Sequence, residues 1–172
     1  MIKHLTVLLL FTSNVLFAQS DSDIISVMNS GSAKVKKKDY EGAIGDYTKC
    51  IEKNAGNTTL YGIYVNRGAA YAELKQYEKA IADYTKAIEI YSGDGIGYDG
   101  RAVVYLLMKD YAKAISDFTE AIKRSSKSSH AYLYRGKTYH EMKQDTKACA
   151  DWIKAKELGS SQSEDLLSKY CK

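Results

Sequence analysis

The side chains able to do chemistry are few, and their spacing argues against catalysis. Beyond the first eighteen residues only His130 and His140 remain as histidines, ten positions apart on one helical stretch with Glu141 adjacent. No HExxH pattern and no Cys/His cluster accompanies them, so neither a metalloprotease-type site nor a structural zinc site is expected. Gly93, Gly95, Gly97 and Gly100 are close together, but no lysine and no preceding strand turns them into a phosphate cradle. No nucleophile stands in a pattern with a base. Three cysteines are too few for a disulfide framework and leave room for one bridge and one buried thiol. We therefore expect no cofactor and no enzyme. A redox or metal-dependent enzyme using Cys or His residues is kept as the weaker alternative, separable by thiol titration and a metal assay.

The elements that must position these residues repeat. Tyr77, Ala80, Tyr84 and Ala87 return thirty-four residues later as Tyr111, Ala114, Phe118 and Ala121, and Arg67, Arg101 and Arg135 keep the same interval. A fixed period of this length marks stacked helical hairpins, none of which buries its apolar face alone. Helical spacing predicts helices at Ile24–Lys37, Tyr40–Lys53, Tyr61–Leu74, Tyr77–Ile90, Ile96–Met108, Tyr111–Lys123, Ser129–Met142 and Asp145–Leu158, with a short closing helix at Glu164–Cys171. Asp39 and Gly159 read as caps, and Asn54–Leu60 as a loop. The organisation is thus 1–18 leader, 19–23 polar stretch, repeats at 24–57, 61–94, 95–128 and 129–162, and a cap at 163–172.

Within each hairpin Gly31, Gly68, Ala102 and Gly136 face Ala43, Ala80, Ala114 and Ala148. Glycine inside a helix costs about 1 kcal/mol against alanine, so a column that accepts it marks close helix approach. Aromatic columns fill the remaining wedge: Tyr64, Tyr98 and Tyr132; Tyr71, Tyr105 and Tyr139; Tyr47, Tyr84, Phe118 and Trp152. They account for most of the 15 tyrosines and read as core. Cys50 stands in the buried alanine column as an inert thiol.

These columns resemble the tetratricopeptide repeat proteins, whose unit places Gly, Tyr, Ala, an aromatic and Ala at this spacing. The resemblance covers Ile24–Gln162. It implies an all-α solenoid of four helix-turn-helix repeats whose concave face receives a peptide or another protein. The closing proline of the unit is replaced by Ala55, Ser92, Ser126 and Ser160, unit one has Ser30 and Lys34 at unusual places, and Asp145 stands where unit three has Tyr111. Some members hold chaperone tails in a carboxylate clamp. The corresponding places here are Met28, Ser32, Asn66, Ile96 and Gly100, of which only Asn66 fits.

Charged columns lie over the repeat. Arg67, Arg101 and Arg135 precede the small residue, while Asp46, Asp83, Asp117 and Asp151 precede the second-helix aromatic. We read structural ion pairs between neighbouring units, Asp46–Arg67, Asp83–Arg101 and Asp117–Arg135; pairing within a unit is the alternative and would strand Asp46. Cys149 occupies the column of Ile44, Ile81 and Ile115 that faces the next unit, and the closing helix offers Leu167 and Cys171 one turn apart. A Cys149–Cys171 disulfide is expected, against the alternative of two reduced thiols.

The net charge of +4 is mixed in sign and gives no reason to expect nucleic acid. The run Lys34, Lys36, Lys37, Lys38 reads as a solvated face, with an acidic partner or anionic surface as the alternative. Met1–Ala18 runs from Lys3 and His4 through an apolar stretch to the small Ala18, the order of a secretory signal. We expect export to the periplasm or medium of a bacterium, with cleavage after Ala18 or retention as an anchor left open, and no stable membrane span after cleavage. The function expected is a protein-interaction scaffold, with a self-associating structural component as the alternative. For the groove, Val65, Ala69, Val103, Leu106 and Leu107 are the apolar candidates and Asp99, Tyr134 and Lys137 the polar ones. Burial of these residues between tightly curved neighbours is the competing reading.

Overall fold

The computed structural model describes residues 22–53 and 56–171, and among them there are helices and no strands. The helices are α1 (22–36), α2 (Tyr40–Glu52), α3 (Asn57–Glu73), α4 (Tyr77–Ile90), α5 (Ile96–Leu107), α6 (Tyr111–Arg124), α7 (Ser129–Glu141), α8 (Asp145–Glu157) and α9 (Gln162–Tyr170). They form four hairpins and a closing helix, the α-solenoid expected. The leader 1–18 and most of the stretch 19–23 lie outside the described residues. Among the described residues no helix is long and apolar enough to cross a membrane.

Three helix starts differ from expectation, α9 beginning at Gln162 rather than Glu164. Helix α1 begins at residue 22, inside the expected polar stretch. Helix α3 begins at Asn57, because the Leu60 N–H already donates to the Gly56 carbonyl at 2.9 Å. The Asn-Thr-Thr run reads as loop on its weak helix propensity, but the packing of the helix that follows, with Ile63 and Ala70 buried, overrides that preference. Elsewhere the caps hold: Asp39 accepts from the Gly42 N–H at 3.0 Å, and Gly159 ends α8 at φ +90°.

The turn inside each hairpin has a feature with no glycine to announce it. Lys38, Lys75, Lys109 and Lys143 all take φ near +60°. At each one the following N–H reaches back five residues, as Gln76 does to Tyr71 and Asp110 to Tyr105. This closes the first helix with a left-handed residue that is ordinarily glycine.

Small against large packing sets the helix spacing. A Cβ on Gly136 would stand 2.6 Å from the Trp152 indole nitrogen and 3.1 Å from the Ala148 carbonyl. Tyr47, Tyr84, Phe118 and Trp152 are buried, as are Ala43, Ala80, Ala114 and Ala148. Successive first helices touch, α3 with α5 and α5 with α7, with no comparable contact between α4 and α6 or α6 and α8. The first helices therefore line the inside of the bend.

Candidate partner groove

The arginine column shows how the inner face is held. Arg67 grips Asp83 with two nitrogens at 2.7 and 2.8 Å, Arg101 grips Asp117 at 2.7 and 3.0 Å, and Arg135 grips Asp151 at 2.8 Å twice. The pairs lie within a unit, which corrects the neighbour pairing read from the sequence. The neighbour is reached by the third nitrogen, which donates to Thr48, Thr85 and Thr119 of the preceding unit at 2.9–3.0 Å. Asp46 is not stranded. Ser30 Oγ and Lys34 Nζ each donate to it at 2.7 Å, so Lys34 is drawn out of the solvated lysine run expected for it.

The two half-buried tyrosine columns serve these arginines. The Arg67 guanidinium lies 5.6 and 5.7 Å from the Tyr64 and Tyr71 rings, and Arg135 lies 5.6 and 6.0 Å from Tyr132 and Tyr139. Planar cations beside ring faces are favourable where water is scarce. The columns are thus not plain core; their rings wall the ion pairs.

Two cavities open on the inner face and meet at Leu107. The first, about 470 Å³, is lined by Ala69, Asp99, Val103 and Leu107 of the expected set, together with Tyr77, Tyr84 and His130. Burial pushes the Tyr84 phenol up to about 12. Asp99 Oδ2 meets His130 Nδ1 at 2.7 Å, and the His130 ring lies tilted against Tyr134 with ring centres 4.3 Å apart. The second, about 440 Å³, is lined by Leu106, Leu107 and Lys137 of the expected set, with Tyr111, Trp152 and Tyr170 added.

Val65 and Tyr134 line neither cavity. Val65 packs on the Ala80–Tyr84–Val104 cluster, and Tyr134 stacks on Phe118 at 6.4 Å. Val103 and Leu106 are half-buried against the Phe118 cluster, whereas Leu107 is 52 % exposed. The stripe is therefore divided: part seals the stack and part faces the groove. The sequence reading missed Tyr84 and Trp152 because it assigned their column to core, and it placed Tyr77, Tyr111 and Tyr170 in no groove stripe. A column residue at the edge of the inner face does both jobs.

Cys149 and Cys171 form a disulfide with Cα atoms 5.8 Å apart. It seats α9 on the last hairpin, where Leu166 and Leu167 pack on the Trp152 cluster. Tyr170 then lies 4.2 Å from the His140 ring, while His140 Nδ1 meets Asp145 at 2.6 Å. Cys50 is free and buried; desolvation raises its thiol pKa, which suits an unreactive core group. Among the described residues no group of three His, Cys, Asp or Glu side chains could hold a metal ion.

Comparison with known proteins agrees with this architecture. Residues 62–94 and 97–128 each match a family model described as tetratricopeptide repeat. Residues 62–128 are thus tetratricopeptide repeats. Among solved structures it is similar to the TPR domain of OM64 from Arabidopsis, at 26% identity over 67% of this chain and 97% of that one, with a TM-score of 0.64. It shares the fold of YrrB, described as a TPR protein with an unusual peptide-binding site, at 19% identity over 98% of this chain and 84% of that one, TM-score 0.70. The first TPR of Spaghetti (RPAP3), solved with the HSP90 peptide SRMEEVD, aligns at 24% identity over 64% of this chain and 89% of that one, TM-score 0.61. No curated protein matches the chain by sequence.

Proposed function

We propose that the chain is a non-catalytic interaction module that holds a segment of a partner protein along α3, α5 and α7. The observation that carries this reading is Leu107. It stands 52 % exposed and lines both cavities on the inside of the bend, which puts an apolar side chain in a concave, mostly apolar space of the kind that receives a ligand. The peptide-binding character of YrrB and of the Spaghetti domain supports the same use of the inner face here. The histidines are tied to Asp99 and Asp145, and Asp83, Asp117 and Asp151 to arginines, so these groups are engaged in holding the stack.

We further propose that it works in an oxidising compartment, exported by its first eighteen residues. The Cys149–Cys171 bridge supports this, since such bridges persist outside the reducing cytosol. The groove is tested by panning a random heptamer phage library on the oxidised full chain and on Leu107→Glu. Peptides selected by the groove lose most of their affinity for Leu107→Glu, while its melting temperature stays within a few degrees because the side chain is exposed. Selected peptides that bind Leu107→Glu unchanged would remove the groove from consideration.

A further inference from the structure

The two cavities differ in charge and in how they are walled. The second is bordered by Lys109 and Lys137, with Glu141 also on its lining. Lys86, Lys113 and Lys154 each reach a carboxylate at 2.7–2.8 Å, but among the described residues neither Lys109 nor Lys137 forms an ion pair. Lys137 Nζ sits 4.4 Å from the Tyr134 ring centre and 3.4 Å from Gln162 Oε1, contacts that orient an ammonium without neutralising it. Burial makes this lysine less basic than an exposed one, the mark of a cation stripped of part of its water and given no counter-ion. His140 does not supply one, being bound to Asp145.

Beside that cation lies an apolar space. Leu106, Leu107, Trp152 and Leu166 border it, and Tyr170 closes it from α9. We propose that this cavity is a subsite for a partner segment with a large apolar side chain next to an acidic one. The apolar side chain enters among the leucines and Trp152, and the neighbouring carboxylate accepts a hydrogen bond from Lys137 Nζ. The assignment rests on the groove reading and adds the chemistry of its occupant. Charge complementarity selects it: a basic segment would leave Lys137 and Lys109 facing like charge, and a wholly apolar one would cover an unpaired ammonium, which is costly. The subsite also requires the disulfide, because Tyr170 belongs to α9 and adjoins Cys171.

The test uses the same heptamer library on the oxidised full chain, reading the sequences selected rather than the fact of selection. The expected result is enrichment of Asp or Glu beside Leu, Ile, Met or Phe. A synthetic copy of an enriched peptide should perturb the fluorescence of Trp152, the chain's only tryptophan. Lys137→Gln should weaken that peptide about tenfold or more, as loss of a charged hydrogen bond does, and Lys137→Arg should retain most of the binding. Lys86→Gln, remote in the sequence and already paired, should change nothing. Cys171→Ser should weaken it with helical circular dichroism intact. Selected peptides without acidic residues, or with full affinity for Lys137→Gln, overturn the subsite. If those peptides still fail on Leu107→Glu, the groove survives alone; if no peptide is selected, both readings fall.

Discussion

Asp46 in the first hairpin and Asp117 in the third stand in the same column, 5 % and 7 % exposed, yet their counter-charges come from different places. Asp117 receives two nitrogens of Arg101, whose third nitrogen reaches Thr85 of the hairpin before. Asp46 receives Lys34 and Ser30 from its own first helix, with Lys49 at 3.5 Å. A lysine neutralises at one point, whereas a guanidinium neutralises in two prongs and keeps a donor for a neighbour. Among the described residues no hairpin precedes the first, so nothing there requires that third donor. At the other end the threonine column closes with Ile153, which is 50 % exposed and faces no arginine. The arginines are therefore the stitches between units, and the terminal hairpins are recognised by lacking one side of the stitch.

The widest test of this comparison is to remove the cation from each kind of unit. Arg101→Met leaves Asp117 buried without a counter-charge and frees Thr85, which should cost about 3–5 kcal/mol. Lys34→Met leaves Ser30 and Lys49 in place and should cost under about 1 kcal/mol. Urea denaturation of both variants decides it, and equal losses would mean that the stitch adds nothing to the pair. Next in size is the far end of the stack. Cys171→Ser opens the loop that the bridge closes, with a separation of 22 residues. The expected loss is about 3 kcal/mol, read by the same denaturation, with dithiothreitol on the parent chain giving a matching loss.

These contrasts show where the sequence was legible. The thirty-four-residue interval and the small and aromatic columns identify four hairpins because packing repeats whenever the backbone does. Cys149 was readable as a bridge because its column otherwise holds isoleucine facing the next element. The arginine partner was not readable. Arg101 and both Asp83 and Asp117 sit on facing helices, and only the direction in which the second helix leans decides between them. The available signal was Lys34, one turn after Ser30, standing where the other units carry an aromatic. The groove was half legible for a related reason. Spacing places Val65, Val103 and Leu107 on one stripe, but curvature decides which of them the next unit covers.

The comparison of the two aspartates also carries a pH dependence. The Asp46 carboxyl is held below its usual range, first by the hydrogen bond from Lys34 and then by that from Ser30, against an opposing effect of burial. The unfolded chain therefore binds this proton more readily than the folded one. The stabilisation is fully present above the unfolded value of about 3.9 and is lost as pH falls through the lower folded value. Lys34→Met should raise the folded value and make the loss of stability below about pH 4 shallower, in urea midpoints measured from pH 6 downward. An acid limb unchanged by Lys34→Met would show that Lys34 does not hold the Asp46 charge.

The smallest expected effect concerns a feature that all four hairpins share. Lys38, Lys75, Lys109 and Lys143 each hold φ near +60°, a conformation that costs a residue with a Cβ about 1–2 kcal/mol. Glycine would remove that cost but lose more freedom on folding, roughly 0.5–1 kcal/mol. Each lysine also sits at the C-terminal end of a helix, where its charge opposes the negative pole of the helix dipole favourably. The net gain from one Lys→Gly change is thus about 0.5 kcal/mol, the difference between these opposing contributions. It should widen at high salt as the charge–dipole part is screened. Lys38→Gly and Lys109→Gly are the informative pair, because they place the same change in the first hairpin and the third. Equal gains in thermal unfolding confirm that the turn is independent of the stitch. A gain confined to Lys109→Gly would mean that the interior units are strained by their neighbours, and the distinction between terminal and interior hairpins would then extend to the backbone.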